Sequence, residues 1–155
     1  LRMPIFVERQ FTKHRIGVEI NSISGRYVHF DGTCYYPDIW RKGSVSIKQG
    51  SLDEPVEDAD KVDVLYYEAV DSAVQVYEQL LMLGVCKEPE RMVLPLSLIT
   101  EMICTMSLQA AFHFYRLRSS AHAQREIQWF AQHIGTLFAS TFPLSWNALV
   151  KYRME

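Results

Sequence analysis

The stretch from Glu57 to Leu83 limits the fold more than any other part of the chain. Val62, Leu65, Ala69, Ala73, Val76, Leu80 and Leu83 recur at steps of three or four residues. An α-helix turns once every 3.6 residues, so these side chains share one face. The pattern predicts a long helix over 57–83 with that stripe buried, ended by Gly84. Around it, Leu1–Met3 reads as the end of a strand, and Pro4 suits the first turn of a short helix reaching Lys13. Residues 20–30 carry the β-formers Ile20, Ile23, Tyr27, Val28 and Phe30, which predict a strand or extended loop. Residues 31–57, with Asp31-Gly32, Pro37, Gly43, Gly50 and Pro55, read as a turn-rich loop.

The C-terminal half is more helical. A short turn over Glu88–Met92 stops at Pro95, and "LSLITEMICTM" fits a strand or a helix equally. Ser107 is placed to cap a helix carrying Leu108, Ala111, Phe112 and Tyr115. Ala123, Ile127, Phe130, Ile134 and Phe138 predict a helix from near Ser120 to Ala139, and Pro143–Met154 a last one. Length and pattern together predict a single domain over 1–155, mostly helical with a smaller sheet.

Composition narrows the function. Hydrophobic residues make up 48% of the 155 and aromatics 12%, so the chain has the material for a packed core. A net charge of −2 disfavours a general nucleic-acid coat but leaves room for a local basic pocket. The cysteines, Cys34, Cys86 and Cys104, are odd in number and lack C-x-x-C spacing. Neither a disulfide framework nor a zinc site is expected, and a reducing cytoplasm fits best. The histidines show no H-x-x-x-H or H-E-x-x-H pair, so no protein-held metal is expected. No apolar run reaches membrane-spanning length, and no signal peptide is visible. "LRMPIFVERQF" reads as the middle of a longer sequence, so an N-terminal segment ahead of Leu1 is expected.

One polar stretch stands out, "KHRIGVEINSISGRY" from Lys13 to Tyr27. It sets cations and hydroxyls directly after an apolar segment, which suits a solvated turn or a phosphate cradle. Residue types alone leave both open. Taken singly, Lys13 and Arg15 could be surface cations, and Arg91 and Arg118 could be helix-end charges.

Two stretches together resemble the flavin-dependent thymidylate synthases. That family carries R-H-R, about seven residues, then Ser, with Asn-Glu before the Ser and Arg-Tyr after it. A later block runs R-x-x-L-P, Thr, L-R, H-A-Q-x-E-I. Lys13-His14-Arg15, Asn21, Ser24, Arg26 and Tyr27 match the first. Arg91, Leu94, Pro95, Thr100, Leu117, Arg118, His122, Ala123, Gln124, Glu126 and Ile127 match the second. "YYPDIWRKG" and "KQGS" resemble the family's middle loop. The match runs in order over almost the whole chain.

The resemblance implies an α+β fold, an antiparallel sheet with a helical layer, assembled as a homotetramer with active sites between subunits. It implies conversion of dUMP to dTMP, with carbon from methylenetetrahydrofolate and NADPH reducing a bound FAD. It places Gln10, Ser24, Gly25, Arg26 and Arg91 around dUMP, and Arg118 at the uracil ring as the catalytic residue. It places Lys13, His14, Arg15, Asn21, Ser107, Gln109, His113 and His122 at the FAD. Arginine forks match phosphate oxygens two at a time, which suits both ligands.

This chain departs from the pattern at several points. Lys13 stands for an arginine, Ser22 for the glutamate after Asn21, Gln109 for an arginine and Ser107 for an asparagine. Eight residues, not seven, separate Arg15 from Ser24. Two further readings therefore stand beside the first: a related flavin enzyme leaving, for example, a hydroxymethyl group on the pyrimidine, and an inactive nucleotide- or flavin-binding homologue. A cysteine-nucleophile thymidylate synthase fits poorly, since no cysteine falls in a matched motif.

Overall fold

The computed structural model describes residues 1–44 and 51–153. Its elements in chain order are β1 (Arg2–Pro4), α1 (Ile5–Phe11), β2 (Val18–Ser22), β3 (Arg41–Gly43), β4 (Ser51–Pro55) and α2 (Ala59–Met82). There follow α3 (Lys87–Glu90), a 3-10 turn (Arg91–Val93), β5 (Ile99–Met106), α4 (Leu108–Arg118), α5 (Arg125–Thr141) and α6 (Pro143–Arg153). The strands form a sheet of order β1-β5-β2 and a separate β3-β4 pair, with β1 antiparallel to β5. This is the α+β class that the sequence implied. Two compact units divide the chain. One comprises Leu1–Glu8, Asn21–Lys42 and Asp53–Ile103; the other comprises Arg9–Ile20, Gly43–Leu52 and Cys104–Glu155.

In the first unit, Met3 and Pro4 of β1 face Thr100 and Ile99 of β5. Cys34, Val70 and Leu98 form a core to which Ile5, Phe30, Tyr36, Tyr66, Val74 and Leu94 add. The long helix forms where the spacing predicts, and Gly84 ends it at φ +78°. That left-handed conformation is accessible to glycine at little cost.

The buried face of α2 differs from the predicted stripe. Val70 and Tyr77 are its buried residues, whereas Leu65 and Leu83 are 60% and 80% exposed. The reason lies in the tyrosines. A tyrosine buries its ring readily once the hydroxyl has a partner. The Tyr66 hydroxyl donates to the Tyr35 carbonyl at 2.8 Å. The Tyr77 hydroxyl lies 2.9 Å from His29 Nδ1 and accepts from the Phe30 amide at 3.3 Å. Tyr66, Val70, Val74 and Tyr77 therefore turn inward, and the aliphatic row counted from the sequence is rotated partly into solvent.

Two other expectations need adjustment. The turn-rich 31–57 segment holds the β3-β4 pair, whose "RKG" and "SLDEP" lack any alternation that would reveal strands. The Lys48, Gln49 and Gly50 of the middle-loop match lie outside the described residues. The extended segment predicted at 20–30 is β2 at Val18–Ser22, followed by turns.

In the second unit α4, α5 and α6 pack on one another. Phe11, Ala111, Phe114, Ile127 and Ala131 are fully buried there, and Trp146 is nearly so. The Trp146 ring lies 5.5 Å from Phe112 and 5.4 Å from Tyr115. Helix α5 starts at Arg125 rather than near Ser120. The Ser120 hydroxyl and carbonyl instead accept from the His122 and Ala123 amides, closing a tight turn. Ser107 caps α4 as predicted, accepting from the Ala110 amide at 3.2 Å. Ser107→Ala is expected to destabilise the chain by about 1 kcal/mol. A urea midpoint lowered at unchanged slope is the check.

Candidate functional site

The candidate residues divide between the two units, and each group has its own logic. In the second unit, α1 ends at Phe11, whose ring packs on Phe114 with centroids 4.3 Å apart. Both are fully buried, so the chain leaves α1 from a fixed point. It turns at once, the His14 amide donating to the Phe11 carbonyl at 3.0 Å. The His14 ring sets its edge against Phe114 at 5.0 Å. Arg118 lies four residues beyond Phe114, hence on the same face of α4. Its Nε donates to His14 Nε2 at 3.0 Å, and its Nη2 to the Gln10 carbonyl at 3.5 Å. The Gln10 side-chain amide donates to Gln124 Oε1.

Gln10, His14 and Arg118 are thus brought together as a hydrogen-bonded group. Burial pushes the His14 pKa down, and the nearby Arg118 and His113 add to this. Burial also pulls Arg118 down from its ordinary value. Lys13 and Arg15 are exposed and form no ion pair among the described residues. Gln109 and His113 line a groove of about 650 Å³ with Leu108, Phe112, Leu149 and Tyr152. His122 is exposed in the turn before α5, and the Ser107 hydroxyl is engaged as the α4 cap.

In the first unit, Ser24, Gly25 and Arg26 form a turn. The Tyr27 and Val28 amides donate to the Ser24 carbonyl at 3.0 and 3.1 Å. The Ser24 hydroxyl accepts from the Arg26 amide at 3.3 Å. Gly25 is required by close approach: a Cβ there would lie 2.4 Å from the Phe30 ring and 3.1 Å from Arg91 Cδ. Arg26 pairs with Glu88 at 2.8 Å, and Lys87 Nζ donates to the Tyr27 carbonyl at 3.1 Å. Arg91 Nε donates to the Glu88 carbonyl at 3.3 Å. The cations Arg26, Lys87 and Arg91 therefore gather about one turn.

Sequence reading missed Lys87 and Glu88. Their signal was position, since "KEPER" puts both within four residues of Arg91. Asn21 belongs to this unit, lining a groove of about 500 Å³ with Arg2, Ser22 and Glu101. Ser22, which stands for the motif's glutamate, donates its hydroxyl to Glu8 Oε1. A carboxylate thus reaches position 22 from α1. Among the described residues no group of three His, Cys, Asp or Glu side chains could hold a metal ion. No helix among them is long and apolar enough to cross a membrane.

Fold and side chains define an α+β protein that gathers arginine, lysine and histidine on short turns. The family model described as thymidylate synthase complementing protein matches residues 1–144. A flavin-dependent thymidylate synthase of Kosmotoga olearia is 35% identical over 153 residues, covering 98% of this chain and 66% of that one. The enzyme of the same description from Thermus thermophilus is 36% identical over 155 residues, covering 100% and 56%. The chain therefore spans between about half and two thirds of these relatives' length. Among solved structures, a UMP/dUMP methylase PolB from Streptomyces cacaoi bound to 5-Br UMP superposes with a TM-score of 0.87 at 28% identity. It covers 99% of this chain and 72% of that one. The chain belongs to the thymidylate synthase complementing protein family, that of the flavin-dependent thymidylate synthases.

Proposed function

We propose that this chain takes part in reductive methylation of dUMP to dTMP, consuming methylenetetrahydrofolate and NADPH with FAD bound. The observation that carries the reading is the Arg118 group, a guanidinium held by His14 and the Gln10 carbonyl at 3.0 and 3.5 Å. The overall balance is dUMP, methylenetetrahydrofolate, NADPH and a proton giving dTMP, tetrahydrofolate and NADP⁺. The methylene carbon bonds to C5 in place of its hydrogen and is reduced to methyl by the hydride equivalent of NADPH, while the displaced C5 proton and the added proton become the two N–H hydrogens of tetrahydrofolate.

The chain's residues divide this work. Ser24, Gly25, Arg26 and Arg91 take the dUMP phosphate, two arginine forks and a backbone turn facing one dianion. Gln10 and Arg118 take the uracil. A fixed guanidinium there stabilises negative charge as C5 becomes nucleophilic, without reorganising at the moment of reaction. The donor set also fits a flavin dinucleotide. Lys13 and Arg15 are exposed cations suited to a pyrophosphate, and His14, Asn21, Ser107, Gln109, His113 and His122 offer polar atoms for the rest. When bound, the flavin supplies the redox chemistry, drawing electrons from NADPH.

Homotetrameric assembly with shared sites and a cytoplasmic setting complete the reading. The three free cysteines fit that reducing setting. We read 1–155 as one domain, which the repeated passage of the chain between the two units, after residues 8, 20, 42, 52 and 103, supports.

A second reading, that UMP is also accepted, draws on the likeness to the UMP/dUMP methylase. The test is product analysis. Protein incubated with FAD, NADPH, methylenetetrahydrofolate and either dUMP or UMP is expected to yield the 5-methyl product from dUMP. A hydroxymethyl product, or none, rejects the first reading, and methylation of UMP establishes the second. Arg91→Ala is expected to weaken dUMP roughly 10- to 100-fold, the worth of a charge-assisted hydrogen bond, and FAD far less. Equal loss of both, measured by titration, contradicts this division of the site.

A further inference from the structure

We propose that the neutral imidazole of His14 positions the guanidinium of Arg118, and that protonating His14 releases it and sets an acid limit on turnover. This rests on the thymidylate synthase reading and deepens it, giving His14 a task beyond lining the flavin site.

A guanidinium has donors and no acceptor. The 3.0 Å contact from Arg118 Nε to His14 Nε2 therefore assigns a lone pair to Nε2 and the ring proton to Nδ1. The acceptor itself is held on two sides. Its backbone is tied to the Phe11 carbonyl at 3.0 Å, and its ring edge rests on Phe114 at 5.0 Å. With Nη2 on the Gln10 carbonyl, one edge of the guanidinium is fixed. Its remaining N–H groups have no partner among the described residues and are left for a ligand.

Protonation reverses this arrangement. Nε2 becomes a donor facing a donor, and two cations stand a hydrogen-bond length apart. The groups acting on His14 electrostatically are Arg118 and His113 of α4, and Lys13 and Arg15 flank it in its own segment. All favour the neutral ring. Burial acts in the same direction and is the largest influence, so His14 titrates below its ordinary value of about 6.5. The ring is therefore the acceptor at neutral pH and loses that role only as pH falls through its lowered pKa.

The experiment has two arms on the full chain loaded with FAD. Imidazole ¹⁵N NMR between about pH 5 and pH 8 is expected to show His14 as the Nδ1–H tautomer at neutral pH, titrating below 6.5. The Nε2–H tautomer, or titration at or above 6.5, overturns the proposal whatever the activity. In the second arm, kcat at saturating dUMP is followed against pH. The parent is expected to lose turnover as His14 protonates. His14→Gln, which keeps a neutral acceptor, should retain more kcat than His14→Ala and lose the acid limit. His14→Ala should lower kcat roughly 10- to 100-fold, with the dUMP KM changed less. An acid limit unchanged in His14→Gln, or parental kcat in His14→Ala, overturns the proposal. So does loss of flavin from His14→Gln with turnover restored by excess FAD, which would make His14 a cofactor ligand only. If the NMR arm holds and the parent forms no thymidylate, the pairing stands and the functional reading fails.

Discussion

Arg118→Ala is expected to lower kcat by roughly a hundred- to a thousandfold, the usual loss when one preorganised charge-stabilising donor is removed. The fold should survive. Arg118 is the last residue of α4, where a cation interacts favourably with the helix dipole, and its two hydrogen bonds are partly exposed. Their removal costs about 1–2 kcal/mol, a minor part of the stability of a domain this size. Arg118→Lys keeps the charge but loses the Nε donor that meets His14, so it should recover only a fraction of the activity. The check is kcat alongside thermal melting of both variants. Turnover retained in Arg118→Ala sinks the assigned role, and a melted Arg118→Ala chain sinks the separation of chemistry from stability.

Phe114→Ala is expected to have the largest effect on stability. Its ring is fully buried and supports Phe11 at 4.3 Å and His14 at 5.0 Å. Truncation removes buried apolar surface and leaves a cavity between α1 and α4, costing about 3–5 kcal/mol. For a chain of this length that corresponds to a melting temperature lower by roughly 10 °C. The loss should also loosen the turn carrying Lys13, His14 and Arg15, so flavin retention should fall with stability. Phe114→Leu, which keeps most of the volume, should lose less than half as much. A Phe114→Ala chain within about 1 kcal/mol of the parent contradicts the packing argument.

The fold was legible where the chain is regular. The long helix, the Ser107 cap and the Pro95 stop each rest on a local rule, and each is found. The buried face of α2 was not legible, because tyrosines count as polar until their hydroxyls find partners, and those partners, Tyr35, His29 and Phe30, lie far away in sequence. The β3-β4 pair was hidden for a different reason: short polar strands are made by their pairing, which no local pattern records.

The candidate site was legible as a list of residues and not as contacts. The family resemblance named Gln10, His14 and Arg118, but only the packing of Phe11 on Phe114 explains why residues more than a hundred positions apart meet. Ser22 read as a lost glutamate, whereas Glu8 supplies a carboxylate to its hydroxyl across fourteen residues. Lys87 and Glu88 drew no notice, because a charged pair beside a proline reads as solvated turn until the Ser24–Arg26 turn is laid against it.

The proposed function requires that the protein bind FAD and respond to dUMP. The most direct test is NADPH oxidation by the FAD-loaded protein with and without dUMP, preceded by its absorption spectrum. A flavin spectrum and oxidation stimulated by dUMP are expected. Colourless protein that takes up no FAD, or oxidation indifferent to dUMP, contradicts it.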